Sequence, residues 1–400
     1  MNKNPSFSFA GQFARRSSQH GDMRRRNEST LLSLVRRYPG LSSADLARRS
    51  GIAPQTISVL LKGLEEQHII TRGDAMRGRR GQPAVPIRIN PEGGYGIGVE
   101  LGWRHVSIVL IDLCGKVLGR TRWEVPYQTG EGLIATIAAG VEEVAAVLPG
   151  ARRRQIKGVG VAMPDRMPAY LHALEAAKAE DGGASIDMAG ALRQHLQMPV
   201  VMLNDGTSAC RAECAYGRGA DYGQMLYVFI GTYIASGIFV DGRVIEGRSG
   251  KAVNLGYSVV KGADGAASTL HMIASVKALE DRLQAAGKPV ARAAPFDWPW
   301  EVVGNEVVDW LDDAAFGLAR AIINSCTVID FSAVVLDGVL PQKMLDHLGR
   351  RTHVHLSKLA AGVFEPPIVI MGRVGPDAPA IGAANMPLYL TTFSPDMGAL

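Results

Sequence analysis

The stretch LSSADLARRSGIAPQTISVLLKGLEEQHII, residues 41–70, holds two amphipathic segments joined by a short turn that contains glycine. Ser42 or Ser43 can cap the first helix, and Gly51 ends it. A second helix is predicted over 54–66, because proline suits the first turn of a helix. Its apolar stripe follows helical spacing and consists of Ile57, Leu60, Leu61 and Leu64. This order of segments predicts a helix-turn-helix.

The flanking segments extend this motif to a winged helix. An earlier helix is predicted over 27–38, where apolar residues recur at helical spacing. Residues 69–71 and 85–89 favour two paired strands after the second helix of the motif. We therefore predict a winged helix-turn-helix domain over 27–90, preceded by a basic, disordered tail over 1–26.

Positive charge is concentrated in this part of the chain. Residues 1–90 carry 16 Lys and Arg against 6 Asp and Glu, whereas the other 310 residues carry 27 against 32. A basic excess attracts the phosphates of double-stranded DNA, and amide or hydroxyl groups on a recognition helix suit base edges. The predicted DNA contacts are Ser43, Gln55, Thr56, Ser58, Lys62, Arg77, Arg79 and Arg80, the three arginines lying in the tip between the strands. A helical unit that contacts only proteins is the alternative interpretation.

The remainder of the chain has the pattern of an α/β protein. Apolar runs that read YGIGVELG (95–102) and IKGVGVAM (156–163) alternate with helical segments, and a second such series starts at Met225. The repeated order predicts two lobes with a cleft between them. We place the first lobe at 91–205 and the second, with a closing C-terminal helix, at 206–400.

Several segments resemble the ROK family, which comprises repressors, uncharacterised reading frames and sugar kinases. The resemblance runs from about Glu28 to the C-terminus and rests on GVELGWRHVSIVLIDLCGKVLGR (98–120), PVVMLNDGTSA (199–209), IFVDGRVIEGRSGKAVNLGYSVV (238–260) and GPDAPAIGAA (375–384). It implies an actin-like, hexokinase-like fold of the ribonuclease H type. It also implies a sugar in the cleft and self-association into a homodimer or homotetramer.

The phosphate-binding segments depart from the pattern of the family's kinases. The first loop, Asp-x-Gly-x-Thr in the kinases, is Glu100-Leu101-Gly102-Trp103-Arg104 here. The second, glycine-rich loop is GTYIASG (231–237), in which two glycines have gained side chains. Asp337 replaces a glycine on the adenosine side. We therefore expect no ATP binding, no catalytic residue, no cofactor and no enzymatic activity.

The sugar side of the resemblance is altered but recognisable. Asn204 and Asp205 match the family's sugar-binding pair, and the resemblance makes Asp205 the general base of a kinase. The Glu-x-Gly-His positions hold Asn254 and Tyr257, and His271 stands where the family has another glutamate. These five residues are the predicted effector site, although Asp205 alternatively caps a helix. The family's cysteine-rich zinc segment is absent, so no metal is expected.

The full prediction is a transcriptional regulator, and specifically a repressor, of sugar uptake or metabolism genes. It binds an operator in double-stranded DNA and senses a sugar or sugar phosphate. No apolar stretch is long enough to span a membrane and the N-terminus lacks a secretory signal, so we expect a cytoplasmic protein without membrane contact. The alternatives are a sugar kinase that uses Asp205 as its base and a DNA-binding assembly protein without a ligand.

Overall fold

The computed structural model describes residues 19–74, 85–124, 130–164, 187–248, 250, 253–262, 265–288, 305–362 and 364–394. A small helical head precedes a body with two five-stranded sheets. None of the helices in these ranges is both long and apolar enough to cross a membrane.

The head is a helix-turn-helix followed by a strand pair. Its elements are α1 (Gln19–Arg37), α2 (Ser43–Ser50), α3 (Pro54–Glu66), β1 (Ile70–Arg72) and β2 (Ile87–Ile89), and the two strands are antiparallel. One apolar core joins all five, and its fully buried members include Leu31, Leu46, Ile57, Leu61, Ile70 and Ile87. The predicted bounds of α3 are therefore confirmed.

Of the two serines that could cap α2, Ser42 is the cap, since its hydroxyl accepts a hydrogen bond from the Asp45 backbone N–H in a reciprocal capping box. One detail of the head differs from the sequence-based expectation. Helix α1 begins at Gln19, within the segment predicted as a disordered tail. Its first turns are polar and give no apolar periodicity, but Arg24 Nε lies 2.9 Å from Glu28 Oε1, a pairing one helical turn apart that supports the helix.

The first lobe is built on a mixed five-stranded sheet. Its strand order is β5 (Val117–Glu124), β4 (His105–Asp112), β3 (Tyr95–Leu101), β6 (Ile156–Met163) and β7 (Val200–Asn204). Strands β3, β6 and β7 are parallel, and β4 and β5 are antiparallel to their neighbours. Helices α4 (Gly130–Ala145) and α6 (Met188–Leu196) pack on the sheet, and α5 (Gly150–Arg153) is a short helix between α4 and β6.

The second lobe repeats this arrangement. It opens with α7 (Asp205–Tyr216), and its sheet order is β10 (Arg243–Ile245), β9 (Ile234–Val240), β8 (Gln224–Ile230), β13 (Ala333–Gly338) and β14 (Ile368–Met371). A short ribbon is formed by β11 (Val259–Lys261) and β12 (Ala267–Thr269). The other helices are α8 (His271–Ala274), α9 (Val276–Ala285), α10 (Asn305–Cys326) and α11 (Gln342–Ala360).

The last helix, α12 (Ala378–Leu388), lies between the lobes. It packs across β3 and β6 at glycines: a Cβ on Gly98 or Gly160 would collide with the carbonyl oxygen of Ala380 or Ala383. Its other side packs on α7, where a Cβ on Gly382 would strike the Ser208 carbonyl. The sequence therefore uses small residues here to bring backbones together, and α7 and α12 connect the two sheets.

Candidate nucleic-acid interface and effector cleft

Helix α3 presents the predicted base contacts on its exposed side. Gln55, Thr56, Ser58 and Lys62 are all exposed. The Ser58 hydroxyl donates to the Pro54 carbonyl at 3.0 Å, so its oxygen remains available only as an acceptor. Lys62 Nζ lies 3.9 Å from Glu66 Oε1, and such an exposed pair holds the ammonium only weakly.

Of the other predicted DNA contacts, the structure describes only Ser43, which does not lie on α3. Ser43 is half-buried in the first turn of α2, next to the cap and not on α3. Arg77, Arg79 and Arg80 lie outside the described residues. On the described strands, Arg88 of β2 is exposed, whereas Arg72 Nε donates to Glu65 Oε2 at 2.9 Å and ties β1 to α3.

Asn204 and Asp205 stand where β7 passes into α7. The Asn204 side-chain oxygen accepts from the Thr207 backbone N–H at 3.2 Å, so Asn204 is the helix cap. Asp205 Oδ1 accepts from the Gly206 N–H at 2.7 Å and from Asn204 Nδ2 at 3.0 Å. Because the cap is the preceding residue, the Asp205 carboxylate is placed on the wall of the cleft.

The electrostatics of Asp205 follow from its surroundings. Burial raises its pKa to about 6, and the nearby Glu100 carboxylate acts in the same direction. Hydrogen bonds from the Gly206 N–H and the Asn204 amide act against this rise. At pH 7 the group is mostly ionised and can accept a hydrogen bond from a hydroxyl.

The opposite wall is built around His271. The Ile234 backbone N–H donates to His271 Nδ1 at 3.1 Å. Burial lowers the pKa of His271 to about 4, so the ring is neutral at pH 7 and carries its proton on Nε2. The Tyr257 ring meets the His271 ring edge-on with centroids 4.7 Å apart. A Cβ on Gly256 would collide with the imidazole, so a larger residue there would have to move the ring.

All five predicted effector residues line one cavity. Its described walls are Trp103, Pro164, Asn204, Asp205, Tyr233, Ile234, Ala235, Ser236, Val253, Asn254, Tyr257 and His271. None of these described residues is a lysine or arginine. The space between these walls measures about 50 Å³, which holds water and is less than a sugar ring occupies.

Two aromatic residues that the sequence assigned to the phosphate loops also belong to this cavity. The rings of Trp103 and Tyr233 meet at 61° with centroids 4.5 Å apart, and Tyr233 also contacts His271 edge-on. The space beneath them, next to Glu100 and Asp205, measures only about 30 Å³. The two degenerate loops therefore close over each other, and this contact was not foreseen from the sequence.

Neighbouring groups on the nucleotide side have structural partners. Arg104 forms two hydrogen bonds with Glu280 of α9, at 3.1 and 2.6 Å, and so links the lobes. Asp337 accepts from the Tyr227 hydroxyl and from the Gly375 N–H, and burial raises its pKa. An open groove of about 520 Å³ remains beside Asp337, lined also by Arg218, Gln342 and Arg373. The contact between Trp103 and Tyr233 therefore covers the two loops and leaves this groove open.

Helix α7 connects the cleft with the head. Its first residue is Asp205, and its last, Tyr216, lies about 17 Å away along the helix. The Arg36 guanidinium of α1 is buried 3.3 Å from the centre of the Phe393 ring and 5.6 Å from that of Tyr216. The Ser29 hydroxyl donates to the Phe393 carbonyl at 2.5 Å. The head therefore rests on the end of the helix that starts at the cleft.

Comparisons with known proteins agree with this architecture. Residues 96–388 match the model of the ROK family, and residues 23–81 match the MarR family model. The uncharacterized protein y4fQ of Sinorhizobium fredii is 24% identical over 373 residues, which is 92% of each chain. The DNA-binding transcriptional dual regulator NagC of Escherichia coli is 24% identical over 59% of this chain and 57% of its own length.

Solved structures show the same fold. A ROK family transcriptional regulator described as a homologue of the E. coli MLC protein superposes with a TM-score of 0.66 at 20% identity, over 92% of this chain and 97% of that one. A ROK family glucokinase from Streptomyces griseus, solved with glucose and AMPPNP, superposes with a TM-score of 0.58 at 18% identity, over 73% and 99%. The predicted fold class, a winged helix on a two-lobed sugar-kinase-like body, is confirmed, and the chain belongs to the ROK family.

Proposed function

We propose that this protein is a transcriptional repressor of sugar uptake or metabolism genes. Its head binds an operator in duplex DNA, and its body senses a sugar without phosphorylating it. The observation that carries the proposal is the combination of an exposed polar helix α3 with a cleft in which Trp103 and Tyr233 cover the phosphate loops. The regulators among the chain's relatives support the same conclusion.

The effector is an uncharged sugar and not a sugar phosphate. Asp205 and Glu100 supply negative charge, and the described lining of the cleft contains no cation to hold a phosphate. Asn204, Asn254 and the Nε2 proton of His271 provide hydrogen-bonding groups for hydroxyls. The Trp103 and Tyr233 rings offer apolar faces against which the C–H face of a sugar ring can pack.

The effect of sugar binding on DNA affinity is transmitted through α7. A sugar ring is larger than the space between the described walls of the cleft, so we expect it to displace part of them, and the N-terminus of α7 forms part of these walls. A shift of α7 moves Tyr216 and thereby the Arg36 contact with the head. In a homodimer or homotetramer this changes the spacing of the two heads and favours or disfavours one operator geometry.

The kinase alternative rests on Asp205, whose raised pKa suits a general base, and on the open groove beside Asp337. Titration calorimetry of the full chain with ATP and with free and phosphorylated members of a sugar panel separates the candidates. We expect heat with a free sugar, none with its phosphate ester and none with ATP. Tight ATP binding with phosphoryl transfer would establish a kinase. The absence of binding heat with every sugar would favour a DNA-binding assembly protein without a ligand.

Two variants sharpen the calorimetric test. Asn254→Ala removes a predicted hydroxyl contact and should weaken sugar binding about fivefold, which corresponds to the loss of one hydrogen bond of about 1 kcal/mol. Asn324→Ala changes an exposed asparagine of α10 that is not among the described residues lining the cleft, and it should leave the affinity unchanged. Equal effects of the two changes would show that the sugar binds elsewhere.

A further inference from the structure

Helix α3 carries an apolar side chain at the centre of its exposed face. Its buried residues, Ile57, Leu60, Leu61 and Leu64, define the inner side. Directly opposite, one row along the helix consists of Gln55, Val59 and Lys62, at the spacing of one and two turns. Val59 is 64% exposed and is therefore an apolar residue between two polar ones on this face.

The fold of the head does not account for this valine. The core is complete without it, because α3 already buries four apolar residues. A β-branched residue also lowers helix propensity at an exposed position, where lysine, glutamine or alanine would stabilise the helix more. Within the described parts of the chain, Val59 keeps nearly two thirds of its surface open.

We propose that Val59 recognises thymine by packing against its C5-methyl group in the major groove of the operator. The groove admits an α-helix, and the methyl group distinguishes thymine from the other three bases there. Gln55 and Lys62, on either side of Val59, supply the amide and the ammonium that hold the helix against base edges and phosphates. The basic excess of residues 1–90 favours DNA as the occupant of this face.

This inference rests on the proposed DNA-binding function and adds a residue and a base to it. Burial of one methyl group stabilises by about 0.8 kcal/mol, which corresponds to about a fourfold change in affinity. Two symmetric half-sites bound by a dimer double this free energy, so loss of both methyl groups should weaken binding about fifteenfold.

The test uses the full chain and duplexes selected by it from random DNA. Each thymine of the selected half-site is replaced by deoxyuridine, which removes the methyl group and leaves the base pair intact. We expect wild-type affinity, measured by fluorescence anisotropy, to fall at one symmetric pair of positions by about fifteenfold. Val59→Ala should bind the thymine duplex more weakly and show no response to deoxyuridine at that pair.

Val328→Ala is the matched control, because Val328 is 82% exposed in the turn after α10. It should keep the full deoxyuridine response, and an unchanged Tm of the Val59→Ala protein excludes misfolding. The proposal is overturned if no thymine is sensitive, if Val59→Ala keeps the response, or if Val59→Ala alters only the sedimentation of the chain, which would assign the residue to a protein contact. Failure to select any DNA would instead refute the DNA-binding function itself.

Discussion

Asp205→Asn should stabilise the folded protein and weaken sugar binding at the proposed effector site at the same time. Burial lifts the pKa of Asp205 from 3.8 to about 6. This gap corresponds to about 3 kcal/mol of destabilisation when the buried carboxylate is ionised. The value is an upper limit, because Asp205 is only partly covered and cleft water screens its charge. An asparagine keeps the oxygen that accepts from the Gly206 N–H and removes the charge.

The sign of the pH dependence follows from the direction of the pKa change. Since the folded state holds the proton more tightly than the unfolded state, Asp205 favours folding most below pH 3.8. That stability is lost as the pH rises through about 6 and is absent above it. The gain from Asp205→Asn should therefore be near zero at pH 4 and reach its maximum, up to about 3 kcal/mol, above pH 7. His271 acts oppositely in the same window, because its neutral form is favoured by burial.

Urea unfolding of wild type and Asp205→Asn at pH 4, 5, 6, 7 and 8 measures the difference directly, and the His271 contribution cancels in it. Asp309→Asn, an exposed change on α10, is the matched control and should show no such trend. A difference that is constant across these pH values, or one that grows as the pH falls, would refute the assigned burial of Asp205. Sugar binding by Asp205→Asn should be lost in the same preparations.

Three further outcomes follow from the described contacts. Phe393→Ala uncovers the buried Arg36 guanidinium and leaves a cavity, so the free energy of unfolding should fall by about 3–5 kcal/mol. The DNA affinity of this variant should no longer respond to sugar. A loss below about 1 kcal/mol in chemical denaturation would contradict the expected burial. Gly256→Ala forces a methyl group into His271 and should abolish sugar binding in calorimetry. Gly223 has open space around it, so Gly223→Ala should bind sugar normally. Normal sugar binding by both variants would refute the placement of His271. A double-mutant cycle of unfolding with Arg104→Ala and Glu280→Ala should give a coupling free energy of about 1.5–3 kcal/mol, because the pair is half-buried and bidentate. Additive effects of the two substitutions would contradict the proposed link between the lobes.

The sequence by itself determined the elements whose signals are local. The bounds of α3 could be predicted from a proline at one end and four apolar residues at helical spacing. The turn at Asp241 and Gly242, both with positive φ, follows likewise from residues that tolerate this conformation. The sequence does not predict the start of α1, because its first turns are polar and give no apolar periodicity.

That five distant residues line one cavity follows from a family resemblance and not from periodicity. Asn204 and His271 are far apart along the chain, and no local rule brings them to one cavity. The resemblance named five lining residues but not Trp103 and Tyr233, since those positions belong to phosphate loops in the kinases. Their mutual contact depends on how two turns from different lobes face each other.

Only the tertiary structure decided the surroundings of individual side chains. The exposure of Val59, the burial of Arg36 beneath Phe393 and the pKa of Asp205 all depend on elements distant in the chain. Hydrophobic periodicity reports which face of a helix turns inward, because it is set by the geometry of one element. Which groups meet across elements depends on packing, and packing is a property of the whole folded chain.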